Sequence, residues 1–90
     1  LEAAKSADRL QRFVYASSSS VYGDAETLPT SETICPKPVS PYGITKLSAE
    51  QLCGLYHKHF GVPVCSLRYF TVYGPRQRPD MGFHKFLKSA

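Results

Sequence analysis

Apolar residues near the start of the chain recur at helical spacing and are followed by a short continuous apolar run. The members of the helical stripe are Ala3, Ala4, Ala7 and Leu10. The run FVYAS follows from Phe13, and such a run is typical of a fully buried strand in a parallel sheet. The pattern therefore predicts the end of a helix and then a strand.

A long polar segment rich in Gly, Pro, Ser and Thr separates this strand from the next apolar pattern. It begins after Ser17 and runs through GDAETLPTSETICPKPVS. A connection of this length without secondary structure is uncommon inside a domain and is frequently functional. We therefore predict that it is an active-site loop.

A long helix is predicted to begin after Ser40, which is a good N-cap and precedes a proline suited to the first helical position. Good helix formers continue to Phe60, and Gly61 with the proline two residues later forms a stop signal. The apolar stripe that is expected to face a sheet consists of Ala49, Leu52, Cys53, Tyr56 and Phe60.

The segment VCSLRYF after this helix is a second predicted strand. Strand, crossover helix and strand form a βαβ unit, whose two strands are parallel. Asp80 is then a candidate N-cap for a last helix that carries Phe83, Phe86 and Leu87 on one face. The predicted fold class is α/β, a β-α-β unit with flanking helices.

Composition excludes several classes of protein. No apolar run approaches the roughly 20 residues that cross a bilayer, and the basic residues behind the net charge of +4 are scattered, which argues against nucleic acid. The three cysteines are odd in number and lack CxxC spacing, so reduced thiols in a cytoplasmic protein are expected. His57 and His59 would point in different directions on a helix, and no metal site is predicted.

Tyr42 and Lys46 are four residues apart in YGITK, which places them on one helical face with Tyr42 in the first turn. The ammonium and the helix N-terminus both favour the phenolate, the form in which tyrosine acts as a general base. YxxxK alone is a common spacing, but here the preceding strand ends in SSSSVYG, where parallel α/β sheets present ligand sites. Ser18 is the favoured hydroxyl for a sugar or the tyrosine oxygen, and the alternative is that these serines cap a loop.

Three segments, RFVYASSSSVYGD, SPYGITKLSAEQL and LRYFTVYGPRQRPDM, resemble the extended short-chain dehydrogenase/reductase family. Within that family they are most similar to nucleotide-sugar epimerases of the NAD-dependent epimerase/dehydratase group, such as UDP-glucose and UDP-glucuronate 4-epimerases. The resemblance implies a Rossmann-type doubly wound parallel sheet, with residues 1–90 as a central fragment. The glycine-rich N-terminal half and the C-terminal substrate domain are expected outside it, because no GxGxxG or GxxGxxG occurs here. We therefore expect residues 1–90 alone neither to bind NAD tightly nor to turn over substrate.

The resemblance also implies a role for each matching residue. Tyr42 is the catalytic base, Lys46 binds the nicotinamide ribose and favours the phenolate, and Ser18 orients the reacting hydroxyl. The cofactor site further includes Ser17, Tyr69 and Phe70. The substrate site includes Ser18 and Tyr42 together with Ser19, Ser20, Thr71 and Arg78, of which Thr71 replaces an asparagine that is frequent in the family. The guanidinium of Arg78 is a candidate for the substrate diphosphate, with a solvated loop as the equally weighted alternative.

The implied activity is that of an isomerase, which epimerises C4 of a nucleotide sugar, expected to be UDP-linked, through a transient 4-keto sugar. Tightly bound NAD is the expected cofactor, and a homodimer is expected for the full-length protein. Dehydratases of the family carry Asp and Glu where this chain has Ser19 and Ser20, so epimerisation is favoured. A dehydratase or reductase of the same superfamily and a catalytically silent NAD-binding protein are the alternatives. The sugar, the nucleotide and the choice of NAD over NADP are left open.

Overall fold

The computed structural model of the protein describes residues 1–24 and 28–90. Its elements, in chain order, are α1 (Glu2–Lys5), β1 (Phe13–Ser18), a 3-10 helix (Ser19–Val21), α2 (Pro41–Phe60), β2 (Val64–Tyr69) and α3 (Gly82–Ser89). The predicted order of helices and strands is confirmed, whereas the 3-10 helix was not predicted. Part of the predicted active-site loop, residues 25–27, lies outside the described residues, and residues 28–40 contain neither helix nor strand.

The two strands form a parallel pair, as the βαβ pattern predicts. The register runs from Phe13 opposite Val64 to Ser18 opposite Tyr69. Because parallel strands end at the same edge of a sheet, the hydroxyl-rich end of β1 lies beside the aromatic end of β2. The α/β fold class is thereby confirmed.

Both predicted ends of α2 are confirmed, since capping depends on residues close in sequence. The backbone N–H of Gly43 donates to Ser40 Oγ at 3.0 Å, which makes Ser40 the N-cap. At the other end Gly61 adopts a left-handed conformation with φ 69°, and its N–H donates to the carbonyl of His57 at 2.9 Å.

The predicted apolar stripe of α2 is partly wrong. Cys53 is buried and Ala49 and Tyr56 are half-buried, but Leu52 is 50% and Phe60 53% exposed. The helix is turned so that two polar side chains, described below, reach the sheet from the inward face. That rotation moves Leu52 outward, while the ring of Phe60 packs against Tyr56 beyond the end of the sheet.

The strands are covered on one face, which corrects the expectation of fully buried strands. Burial alternates along β2 and along the first four residues of β1, and Val14 and Leu67 on the uncovered face are 56% and 39% exposed. Helix α2 packs on the opposite face. The small core therefore lies between α2, the sheet and the 3-10 helix, where Val21 and Cys53 are almost fully buried.

The two short helices also differ from the predictions. Helix α1 ends at Lys5, well before Ala7 and Leu10 of the predicted stripe, and the hydroxyl of Ser6 donates to the carbonyl of Glu2. Helix α3 is preceded by Met81, and no side chain caps it, so the predicted cap by Asp80 is wrong. No helix within residues 1–24 and 28–90 is long and apolar enough to cross a membrane.

Candidate active site

A cavity of about 710 Å³ opens at the carboxyl ends of the two strands, beside the first turn of α2. Hydroxyls, one ammonium and exposed aromatic rings line it. All ten residues that the sequence predicts for the site are among its walls: Ser17, Ser18, Ser19, Ser20, Tyr42, Lys46, Tyr69, Phe70, Thr71 and Arg78. The fold therefore brings the predicted residues together, although their chemical roles remain predictions.

Lys46 is held between the strand and the tyrosine. Its Nζ donates to the backbone carbonyl of Ala16 in β1 at 3.0 Å. The same ammonium lies 5.6 Å from the centroid of the Tyr42 ring and 5.4 Å from that of Tyr15. The carbonyl thus anchors the positive charge beside Tyr42, as the i, i+4 spacing on α2 predicts.

The first turn of α2, which carries Tyr42, approaches the 3-10 helix very closely. A Cβ added at Gly43 would lie 2.5 Å from the carbonyl oxygen of Ser20, so a larger residue there would push the two elements apart. The Tyr42 side chain is 56% exposed and faces the cavity. Glycine next to the tyrosine is therefore a packing requirement of the site.

Ser18 is buried at the end of β1, and its Oγ accepts a hydrogen bond from the N–H of Ser20 at 3.1 Å. It is thus the N-cap of the 3-10 helix, which is the capping role that the sequence left as an alternative. A hydroxyl has one donor and two acceptor sites, so this bond leaves the Ser18 proton available for a ligand. Capping and ligand binding are compatible at this position.

Arg78 lines the cavity, but its guanidinium is already paired. Nε donates to Asp80 Oδ1 at 3.0 Å and Nη2 to Oδ2 at 2.6 Å, and these bonds hold the pKa of the Asp80 carboxyl below its ordinary value. The pairing also explains why Asp80 does not cap α3. Both side chains are more than half exposed, so an anionic ligand could compete for the guanidinium at small cost.

A second ion pair beside the cavity was not predicted from the sequence. Arg68 donates from Nε to Glu50 Oε1 at 2.9 Å and from Nη2 to Oε2 at 2.8 Å, with the two side chains 21% and 10% exposed. These bonds hold the pKa of the Glu50 carboxyl below its ordinary value. The Ser17 hydroxyl contributes to the same lowering, although it is buried and makes no well-formed hydrogen bond among the described residues.

The signal for this pair was present in the sequence. Arg68 is the charged residue inside the otherwise uncharged strand segment VCSLRYF. A charge in a covered strand needs a partner. Glu50 lies four residues after Lys46 on the same face of α2, and it is therefore the nearest acidic candidate.

Tyr22 connects this pair to the cavity. It is 6% exposed, and the guanidinium carbon of Arg68 lies 4.8 Å from its ring centroid. Its other neighbour is Phe70, whose ring is stacked on it with centroids 6.3 Å apart and planes at 25°. Because Phe70 lines the cavity, a contact chain runs from the ion pair to the wall of the site.

The NAD dependent epimerase/dehydratase family matches the chain over residues 1–90. The chain belongs to this family. The resemblance inferred from the three sequence segments is thereby confirmed. Among the described residues of this family member, no group of three His, Cys, Asp or Glu side chains could hold a metal ion.

Relatives of this epimerase/dehydratase chain are much longer than it is. It is 56% identical over 79 residues to the uncharacterized UDP-glucose epimerase YtcB of Bacillus subtilis, covering 88% of the chain and 25% of the relative. It is 42% identical over 90 residues to UDP-glucuronate 4-epimerase 1 of Arabidopsis thaliana, covering 99% and 21%. The chain thus spans about a quarter or less of these relatives.

A solved structure of UDP-glucuronic acid 4-epimerase from Bacillus cereus, in complex with UDP-glucuronic acid and NAD, superposes with a TM-score of 0.85 at 56% identity. The match covers 98% of the chain and 27% of that protein. With the parallel strand pair, it confirms that residues 1–90 have the fold of part of a Rossmann-type sheet.

Proposed function

We propose that residues 1–90 are the central part of the NAD-binding domain of a longer enzyme, a UDP-sugar 4-epimerase that acts through a transient 4-keto sugar. The observation that carries this function is the meeting of Ser18, Tyr42 and Lys46 in one cavity, with the lysine ammonium 5.6 Å from the tyrosine ring. The printed names of the relatives, UDP-glucose and UDP-glucuronate epimerases, support the same reaction.

Tyr42 acts as the base and acid of the reaction. Its oxygen takes the proton of the sugar C4 hydroxyl as the ketone forms, and it returns a proton when the hydroxyl is restored in the other configuration. Lys46 stabilises the negative charge that Tyr42 carries when it acts as a base, because its ammonium is anchored beside the ring. Ser18 donates a hydrogen bond to the reacting sugar oxygen and orients it.

The cavity walls fit the nicotinamide end of NAD. Tyr69 and Phe70, 51% and 59% exposed, offer apolar ring faces to the nicotinamide, while Ser17 and Lys46 offer polar groups to its ribose. When bound, NAD supplies the hydride acceptor and donor for C4. The absence of a glycine-rich turn from residues 1–90 leaves the pyrophosphate to be bound by another part of the longer protein.

The substrate is held by hydroxyls near the sugar and by a cation at the diphosphate. Ser19, Ser20 and Thr71 line the cavity and are suited to sugar hydroxyls. Arg78 exchanges its exposed partner Asp80 for the diphosphate, because a guanidinium forms the same forked bonds with phosphate as with carboxylate. Asp80 keeps the guanidinium oriented until the substrate arrives.

Two further expectations belong to the proposal. A homodimer of the full-length protein is supported by the apolar residues that α2 leaves on its outer face, Ile44, Leu52 and Leu55, each at least half exposed. A cytoplasmic location is supported by the odd number of cysteines, all of which are free thiols.

The test is product analysis with the full-length protein. UDP-glucuronic acid and UDP-glucose are each incubated with the enzyme and NAD, and the products are separated and identified by proton NMR. We expect the 4-epimer to accumulate to equilibrium with no net change in NADH absorbance. A deoxy-keto product would instead indicate a dehydratase, and tight NAD binding without any product would indicate the silent alternative. In a parallel incubation with added NADH or NADPH, net oxidation of that cofactor would indicate a reductase.

A further inference from the structure

We propose that Arg68 and Glu50 form a positioning pair, which fixes the wall and the catalytic helix of the cavity relative to one another. The inference rests on the proposed function, since it assigns a role in the same site. Neither residue lines the cavity that contains Tyr42 and Lys46, so at that cavity both act through the neighbours that they hold. Both instead line an adjacent cavity of about 540 Å³, which shares Tyr69 and Phe70 with the first.

The pair connects three of the segments around the cavity, namely α2, β2 and the residue that follows the 3-10 helix. Glu50 lies on α2, one turn after Lys46 and on the same face. Arg68 lies on β2 directly before Tyr69, and its guanidinium packs on the ring of Tyr22, just beyond the 3-10 helix. One forked ion pair thus connects the helix that carries Tyr42, the strand that carries Tyr69 and the residue after the 3-10 helix, Tyr22.

Tyr22 carries this constraint into the cavity. Its ring has the Arg68 guanidinium 4.8 Å from its centroid and is stacked on the ring of Phe70 at 6.3 Å. Phe70 is 59% exposed, and its stacked neighbour Tyr22 is buried. If Arg68 were lost, Tyr22 would lose the cation beside its ring, and Phe70 would have a less rigid neighbour.

Energetics favour a positioning role over a stabilising one. Removing two charges from water costs about as much as their attraction returns, so a buried ion pair adds little net stability compared with well-packed apolar side chains. A guanidinium–carboxylate fork is, however, directional in a way that apolar contacts are not. The pair therefore specifies one orientation of α2 against β2.

A ligand-binding role for Arg68 fits the contacts less well. Two of its nitrogens are used by Glu50, whose carboxylate also neutralises its charge, and Nη1 points at the Glu32 carbonyl at 3.5 Å. Exchange for a phosphate would leave the Glu50 carboxylate 10% exposed and without its cation. In this respect Arg68 differs from Arg78, whose partner is solvated.

The test compares variants of the full-length enzyme by kcat, KM, unfolding and amide hydrogen exchange. In the double variant E50L/R68M both charges are replaced by apolar side chains, so that no charge is left buried alone. We expect it to remain folded with kcat lower by about ten- to a hundredfold, the cost of a misplacement of about 1 Å, and KM within about threefold. R68K, which keeps the charge but not the fork, should lose kcat to a smaller degree.

Cys53→Ala is the matched control. It removes a buried side chain from the same helix one turn further on, and Cys53 is not among the cavity walls. Its kcat should stay at the wild-type value even if the protein is destabilised. Equal losses of kcat in C53A and E50L/R68M, or wild-type kcat in a folded E50L/R68M, would overturn the positioning role.

Hydrogen exchange separates this inference from the proposed function. In E50L/R68M we expect faster exchange at residues 18–22 and 69–71, with the middle of α2 still protected. A wild-type enzyme without epimerase activity would refute the proposed function, while the exchange comparison would still test the positioning role. Unchanged exchange at both segments would refute the latter on its own.

Discussion

The two ends of α2 carry the same kind of side chain in opposite electrostatic surroundings. Near the N-terminal end, Tyr42 has the Lys46 ammonium beside its ring and the positive end of the helix dipole below it. Near the C-terminal end, the Tyr56 hydroxyl donates to Glu2 Oε2 at 2.9 Å. The hydrogen bond to this carboxylate raises the pKa of Tyr56 above its ordinary value.

Under the proposed function, only the tyrosine near the N-terminal end of α2 takes part in the chemistry. A carboxylate partner, such as Glu2 at Tyr56, favours the neutral phenol, which cannot accept a proton from a substrate. At the other end the Lys46 ammonium places positive charge beside the ring of Tyr42. Beside the C-terminal end lies Lys5 of α1, which is over the ring of Phe60 at 4.3 Å and pairs with Glu2 at 3.6 Å. Each end of α2 thus has a tyrosine with a lysine ammonium nearby, and only the N-terminal pair, Tyr42 and Lys46, faces the cavity.

The largest effect is expected from removing the two tyrosine hydroxyls in turn. Y42F in the full-length enzyme should lower kcat by about a thousandfold, because a general base contributes about 10² to 10⁴ in rate. Y56F should leave kcat within about twofold, since it changes only an exposed bond to Glu2. The measurement is kcat for UDP-glucuronic acid, and circular dichroism checks that both variants fold. Comparable losses in the two variants would erase the distinction between the ends.

Replacing the two lysines should have the next largest effect. K46M removes the ammonium from Tyr42 and from the Ala16 carbonyl, and we expect kcat to fall by about a hundredfold and the KM for NAD to rise. K5M removes a charge of the same type from the other end and should leave both constants unchanged. Steady-state kinetics with varied NAD give both numbers. A K46M enzyme with normal kcat would show that Tyr42 works without its neighbour.

Features set by residues close in sequence were predictable, while those set by tertiary partners were not. The caps of α2 were predicted correctly because Ser40 and Gly61 act on backbone groups within a few residues. Asp80 was a plausible cap by the same local rule, but Arg78, two residues earlier, binds its carboxylate more strongly. A charged partner at short range therefore overrides capping propensity.

The candidate site likewise has one part that was predictable from the sequence and another part that was not. It was predictable that Tyr42, Lys46 and the serines at the end of β1 line one cavity. The helix period puts Tyr42 and Lys46 on one face, and parallel strands end at the same edge of the sheet. The link between Arg68 and Glu50 depends on the rotation of α2 against β2, which apolar periodicity alone placed wrongly by turning Leu52 inward. In the observed rotation Lys46 bonds to the Ala16 carbonyl and Glu50 to Arg68, two polar contacts that apolar periodicity does not reveal.

Removing either cap of α2 should lower the stability by a similar amount, but the two removals should differ in their effect on activity. S40A removes the N-cap bond to Gly43 and should cost about 1 kcal/mol. G61A forces alanine into the left-handed region at φ 69° with open space around it, so it should also cost about 1 kcal/mol through the backbone alone. Urea unfolding measures both losses.

Only the loss of the N-terminal cap should affect the candidate site, because Tyr42 lies in the turn that Ser40 caps. We expect S40A to lower kcat by about two- to fivefold and G61A to leave it unchanged, in line with the small misplacement that a frayed first turn produces. Equal kcat in the two variants would indicate that the first turn is held by packing, including the close approach of Gly43 to Ser20.

The smallest expected effect is a difference in how two carboxylates make the stability depend on pH. These are Glu50 of α2, which binds Arg68, and Glu2 of α1, which binds Tyr56. Arg68 holds the pKa of folded Glu50 below its ordinary value of 4.5, so the unfolded chain binds more protons there in acid. The stability from this bond is therefore complete above about pH 4.5 and is lost as the pH falls through the folded pKa.

Between pH 7 and pH 4, wild type should lose more unfolding free energy than E50L/R68M. The pKa of Glu2 shifts in the same direction, first through the hydrogen bond from Tyr56 and then through the charge of Lys5, but Glu2 is exposed. High salt should therefore weaken the loss removed by E2Q more than the loss removed by E50L/R68M. If E50L/R68M showed the wild-type pH dependence, the Arg68–Glu50 pair of the wild type would contribute nothing to the acid loss of stability.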